Sequence, residues 1–159
     1  MPGVLVIGVG NELRHDDAAG LEVVRRARAL PSRMPAITFR EYEGEPLGLL
    51  EAWQGAGALI LADAIHGAGP VGAIHRFDAS SQPVGARMEG SSSTHAVSVA
   101  EAIELGRELG RLPDRVVVYG VTGGRFDAGA GLSPELSASL DPLARRVLEE
   151  ARELAEHAG

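Results

Sequence analysis

The sequence predicts an α/β protein: a single three-layer α/β/α domain, residues 1–159, built on a twisted, mostly parallel central sheet. Three observations carry this. The runs VLVIGV, GALILADAI and DRVVVYGV are continuously apolar and of strand length, the pattern of strands covered on both faces. Segments of helical period separate the strands, as crossover connections between parallel strands require. The 159 residues suit one core, and no repeat, low-complexity tail or linker divides them.

Taken in order, Val4–Val9 is the first buried strand. From about Asp17 to Leu30 the chain turns helical, with Gly20, Val23 or Val24, Ala27 and Leu30 recurring on one face, until Pro31 and Pro35 end it. Ala36–Tyr42 alternates and reads as a strand nearer an edge. After the turn EGEP, a short helix covers Leu47–Gln54. Gly57–Ile65 is a further buried strand, whose apolar run ends at Asp63, and Gly72–Ala79 reads as a short strand. Ser80–Ser93 holds Ser, Gly and Pro with little periodicity and reads as a surface loop. A helix follows from Thr94 or His95 to Gly110, with Ser93 or Thr94 as its N-cap. Asp114–Val121 is the last buried strand. Leu143–Leu154 is a helix, and Pro142 marks a break or a first turn before it.

Composition excludes more than it identifies. A formal net charge of −7 argues against nucleic acid or an anionic membrane as partner. The absence of cysteine removes disulfides, thiolate metal sites and a cysteine nucleophile together. No apolar run approaches the ~20 residues that span a bilayer. The N-terminus lacks the pattern of a signal peptide. A cytoplasmic chain is the expectation, with monomer as the default.

In open sheets of this kind, ligands bind outside the carboxyl ends of the strands. Polar residues that packing does not require gather at those ends. The first strand leads to Asn11, Glu12, Asp16 and Asp17; the third ends at Asp63; the loop after the fourth leads through SSSTH to His95. Parallel strands would put all three on one rim. Asp16 also reads as a helix cap, because a first turn offers unpaired N–H groups, and Asp17 could serve the same purpose. Asp63 is more telling: a carboxylate after LILA is costly unless paired or metal-bound. Two carboxylates and an imidazole suit a divalent transition metal with open positions. His66 and His75 read as surface residues, and His15 has no assignment.

Two other readings are weaker. The Gly8-Val9-Gly10 turn lacks the third glycine of a dinucleotide fingerprint, and its acidic neighbours would repel a pyrophosphate. Ser91, Ser92 and Ser93 lie near His95, but no G-x-S-x-G elbow presents a serine nucleophile.

The stretches GVGNELRHDDAAG (Gly8–Gly20), LILADA (Leu59–Ala64), STH (Ser93–His95) and YGVTGGRFDAGAGLSPEL (Tyr119–Leu136) resemble, in order and spacing, the hydrogenase maturation proteases. The likeness spans about Val4 to Ala155. It implies a single α/β/α domain and an aspartic-type endopeptidase that trims the C-terminus of a nickel–iron hydrogenase large-subunit precursor. It further implies that Asp17, Asp63 and His95 are the metal-binding and catalytic residues. They would recognise nickel carried by the substrate, with no organic cofactor. Asp16 is placed to orient Asp17 or a water. Two stretches depart from the family pattern: Gly120-Val121-Thr122-Gly123-Gly124 stands where a G-I-x-P stretch is common, and EYEGEPLG where many members have an Asp-Gly-Gly-Thr-like loop. Two alternatives share the same residues: a nickel-sensing chaperone that does not cut, and a metal-dependent hydrolase of a small substrate.

Overall fold

The computed structural model describes residues 3–32, 34–80 and 94–157, with the backbone alone for 94–98. Five strands form one sheet: β1 (Val4–Val9), β2 (Ile37–Tyr42), β3 (Ala58–His66), β4 (Ile74–Asp78) and β5 (Arg115–Gly123). A 3-10 turn, His15–Ala18, leads into helix α1 (Ala19–Ala29). Helices α2 (Pro46–Ala52), α3 (Thr94–Glu108) and α4 (Pro134–His157) complete the chain.

Strand order is β2-β1-β3-β5-β4. The first four in that row run parallel; β4 pairs antiparallel with β5 at the edge. The mostly parallel, three-layer expectation therefore holds, with one consequence for the site. An antiparallel β4 ends at Asp78 beside Val117, towards the amino ends of the parallel strands. The chain leaves β4 at the edge of the sheet opposite the rim, where the sequence reading had it leave at the rim itself. Apolar alternation carries no information on strand direction, so the pattern of Gly72–Ala79 was silent on this point.

Side-chain alternation divides the core. Val4, Val6, Ile60, Ala62, Ala64, Val117 and Tyr119 pack with α1 and α4 on one face. Leu5, Ile7, Leu59, Leu61, Ile65, Val116 and Val118 pack with α2 and α3 on the other. Helix α1 lies close to the sheet because two glycines meet there. A Cβ on Gly8 would strike the carbonyl oxygen of Gly20, and one on Gly20 the carbonyls of Val9 and Ala62. Gly8 was expected to serve a tight turn; it lies inside β1, and close approach is what it allows.

Of the element boundaries that differ from expectation, two bear on the site. β3 runs to His66, one residue beyond the expected Ile65 and three past Asp63, because β5 pairs with it throughout, up to His66 opposite Gly123. α4 starts at Pro134 and runs unbroken through Pro142. Leu136 and Leu140, N-terminal to that proline, are fully buried, and their packing offsets the hydrogen bond a mid-helix proline forfeits. Among the described residues, no helix is long and apolar enough to cross a membrane.

Candidate active site

β1 ends at Val9, and its pairing with β3 stops at Gly8 opposite Ala62. The next residue of β3 is Asp63. It lies where β1 has peeled away into the loop that carries Asp16 and Asp17. Asp63 shares its parity with Leu59, Leu61 and Ile65, so it belongs to the face covered by α2 and α3. Its partner across the ladder is Gly120, which adds no side chain, and Ile65 folds over that glycine.

Asp63 is 1% exposed. Among the described residues, neither of its carboxylate oxygens has a hydrogen-bond partner. Burial pushes its carboxyl well above the ordinary aspartate value, and the charge of Asp17 pushes in the same direction. The adjacent Ala64 N–H offsets a little of this without making a full hydrogen bond. Such a group is expensive to keep and gains most from a cation.

Asp17 is 3% exposed and close enough to Asp63 for their charges to interact. Its backbone is fixed: the Asp17 N–H donates to Arg14 O at 3.0 Å, and its carbonyl accepts from Asn11 N–H at 3.1 Å. Gly10 lies against that carbonyl so tightly that a Cβ would not fit. The glycines of the opening motif thus draw the loop in around an aspartate.

Asp16 is fully buried yet wholly different. Its Oδ2 accepts from Gly124 N–H at 2.8 Å, Arg125 N–H at 3.1 Å and the Ser133 hydroxyl at 2.6 Å. Its Oδ1 accepts from Ser133 N–H at 2.7 Å. Burial raises its carboxyl, but these bonds outweigh burial, the Ser133 hydroxyl foremost, and it lies below the ordinary aspartate value. The capping expectation for Asp16 takes an altered form. The carboxylate makes no cap on its own turn and instead holds the segment between β5 and α4. Gly123 is required here, since a Cβ would press on the Asp16 Cβ at 2.8 Å and on the Phe126 ring.

Helix α3 delivers His95. Its C-terminal turn is anchored near the amino ends of the parallel strands, where Arg107 donates to Ala79 O at 2.9 Å, one residue after β4 ends and beside Val116 near the start of β5. Fifteen residues of helix rise from there towards the carboxyl-end rim, so the first turn carries His95 to that rim on the face that Asp63 occupies. The His95 side chain lies outside the described residues, as do Ser91, Ser92, Ser93 and most of the Ser80–Ser93 loop.

The remaining histidines differ from one another. His66 is exposed, as expected, with its ring 5.2 Å from that of Phe126. His75 was expected at the surface but is half-buried; its Nε2 lies 2.8 Å from Ala68 O and 3.1 Å from the Thr122 hydroxyl. Gly120 stands opposite His75 on β5 and leaves the imidazole room to reach the diagonal neighbour. Thr122, in the stretch that departs from the family pattern, donates its own hydroxyl to Ala68 O at 2.7 Å. His15 has a left-handed backbone, φ 46°, the sole such non-glycine among the described residues.

A family model described as hydrogenase maturation protease matches residues 44–150, most of the chain. The chain belongs to the hydrogenase maturation protease family. It is similar to the hydrogenase 2 maturation protease of Escherichia coli K12, with 29% identity over 157 residues, 94% of this chain and 91% of that one. Its fold superposes on the hydrogenase maturating endopeptidase HybD from E. coli with a TM-score of 0.82 at 25% identity, covering 95% and 93% of the two chains. HycI from Thermococcus kodakarensis shares the fold at 22% identity and a TM-score of 0.70, over 94% and 92%. The protein is accordingly a peptidase, and its maturation-protease fold places the carboxylates described above at the sheet's carboxyl-end rim.

The residue missed from sequence is Ser133. Its only local signal was its place before Pro134, the pattern of a serine at a helix start. Nothing in that pattern says that its hydroxyl serves an aspartate 117 residues earlier.

Proposed function

We propose that this peptidase removes the C-terminal peptide of a nickel–iron hydrogenase large-subunit precursor and recognises the nickel that the precursor carries through Asp17, Asp63 and His95. The observation that supports the reading best is Asp63: a fully buried carboxylate, beside a second one, with both oxygens unbonded among the described residues. That state is costly in the free protein and is relieved when a divalent cation arrives. Carboxylate oxygens and an imidazole form a donor set suited to nickel and leave coordination positions for the substrate's own ligands.

In this mechanism the three side chains grip the exposed side of the substrate's metal and so fix the peptide bond that follows it within the cleft. A water held at the rim gives a proton to a carboxylate there and attacks the carbonyl of that bond; as the C–N bond breaks, the proton passes to the leaving amine. The chain has no cysteine, and the sequence offers no serine elbow, so direct hydrolysis is favoured over an acyl-enzyme.

The test incubates the purified protein with nickel-loaded precursor and with nickel-free precursor, and follows C-terminal shortening by mass spectrometry. Shortening of the loaded form alone is expected. Binding of the loaded form without shortening would show a docking protein instead. Asp17→Asn, Asp63→Asn and His95→Ala each should abolish the cut, and cleavage unchanged in all three discards the assignment.

A further inference from the structure

We infer that Ser133 is a positioning residue for the cleavage: through Asp16 it sets the direction in which the His15–Ala18 turn presents Asp17. This rests on the function proposed above and adds a residue to it.

A four-residue 3-10 turn has too few internal hydrogen bonds to hold its own orientation. Its bearing must come from outside, and here it comes from the segment between β5 and α4. The Asp16 N–H donates to Arg125 O at 2.9 Å, and the Asp16 carboxylate accepts four bonds from Gly124, Arg125 and Ser133. One residue earlier, His15 N–H donates to Gly129 O at 2.9 Å, and Gly129 N–H returns a bond to Leu13 O at 2.9 Å. Half of the carboxylate's bonds come from Ser133, one from its N–H and one from its hydroxyl, and the hydroxyl bond is the shortest of the four.

Consecutive side chains in a 3-10 turn are about 120° apart around its axis. Fixing Asp16 towards Ser133 therefore fixes Asp17 away from it. Asp17 and Asp63 interact by charge, so a small rotation of the turn changes the spacing of the two carboxylates. The hydroxyl donates to Asp16, a bond that helix capping does not call for, since a cap accepts from the N–H groups of its own helix.

The experiment compares wild type, Ser133→Ala and Ser133→Thr on nickel-loaded precursor, with kcat and KM measured per folded fraction and Tm measured alongside. Loss of the hydroxyl is expected to lower kcat by about tenfold, the effect typical of a residue orienting a ligand, while KM stays within about twofold. Ser133→Thr keeps both donors and is expected to recover most of kcat. A Ser133→Ala chain whose folded fraction cleaves at the wild-type kcat overturns the inference, whatever its Tm; so does a threonine variant as slow as the alanine one. A wild type that cleaves nothing defeats the proposed function itself, and the positioning role falls with it, an outcome told apart by the wild-type lane alone.

Discussion

Asp16 and Asp63 are buried to the same degree, and the protein treats them in opposite ways. Asp16 is given four donors and is held ionised below its ordinary range. Asp63 is given none among the described residues, and burial with a neighbouring charge drives it upward. The first arrangement stabilises a fold; the second costs stability and is retained where a ligand is to be met. Burial of a carboxylate is thus uninformative until its donors are counted.

The comparison can be broken most forcefully at Asp63. Asp63→Asn should lower cleavage of nickel-loaded precursor by roughly 100-fold or more, as expected for a lost metal ligand. The same substitution should raise unfolding free energy by roughly 1–2 kcal/mol in urea titration near neutral pH, because an amide cannot ionise and so escapes the cost of keeping a carboxyl group buried there. A variant that loses both activity and stability would show that Asp63 is an ordinary structural carboxylate.

Asp16→Asn should do the reverse. An amide must point an NH2 group at some of the N–H donors that now converge on the carboxylate, and a loss of about 3 kcal/mol is expected by the same titration. Equal stability of variant and wild type would contradict the clamp.

Acid titration of the free protein sharpens the contrast through sign. Asp16 has a depressed folded value, so its contribution is present above the unfolded aspartate value and is lost as pH falls through the folded one. Asp63 has a raised folded value, so the folded state holds its proton more tightly. Its contribution is greatest below about pH 4 and declines as pH rises towards the folded value. Stability against pH measured for Asp63→Asn should lack that decline, and identical profiles for wild type and variant would refute it.

The smallest effect is expected on the opposite face of the sheet. There Glu150 accepts from Arg76 at 2.7 Å and from the Tyr119 hydroxyl at 2.7 Å. Burial raises its carboxyl, but these partners outweigh burial and it lies below its ordinary value. Glu150→Gln should cost about 1 kcal/mol in thermal unfolding and leave kcat unchanged, as a satisfied charge remote from the rim should. A fall in kcat would mean that this cluster, too, bears on the site.

The three central strands were legible because a strand covered on both faces must be apolar at every position, and Val4–Val9, Ala58–Ile65 and Val116–Val121 are nearly so. Asp63 was legible for the same reason, as the interruption of such a run. What escaped was relational. The direction of β4 depends on which way the chain enters the edge, and its alternation is the same either way. His75 looked superficial until Gly120 made space for it. The task of Asp16 depends on Ser133 and Gly124, more than 100 residues away, and no local pattern marks that pairing. His95 stays a sequence-level expectation for its side chain, while the backbone of α3 takes it to the rim.

The contact of Gly8 with Gly20 bears on accuracy as well as packing. These two absent side chains act as a spacer gauge between helix and sheet. The 3-10 turn runs directly into α1, and Asp17 stands three residues before Gly20. A methyl group inserted at position 20 would lift the start of α1 off Val9 and Ala62 and pull the Asp17 turn against the bonds that tie it to the β5–α4 segment. Misplacement by about 1 Å is enough to cost a catalytic arrangement 100-fold. The tolerance of the site is therefore set where the helix meets the sheet by two hydrogens.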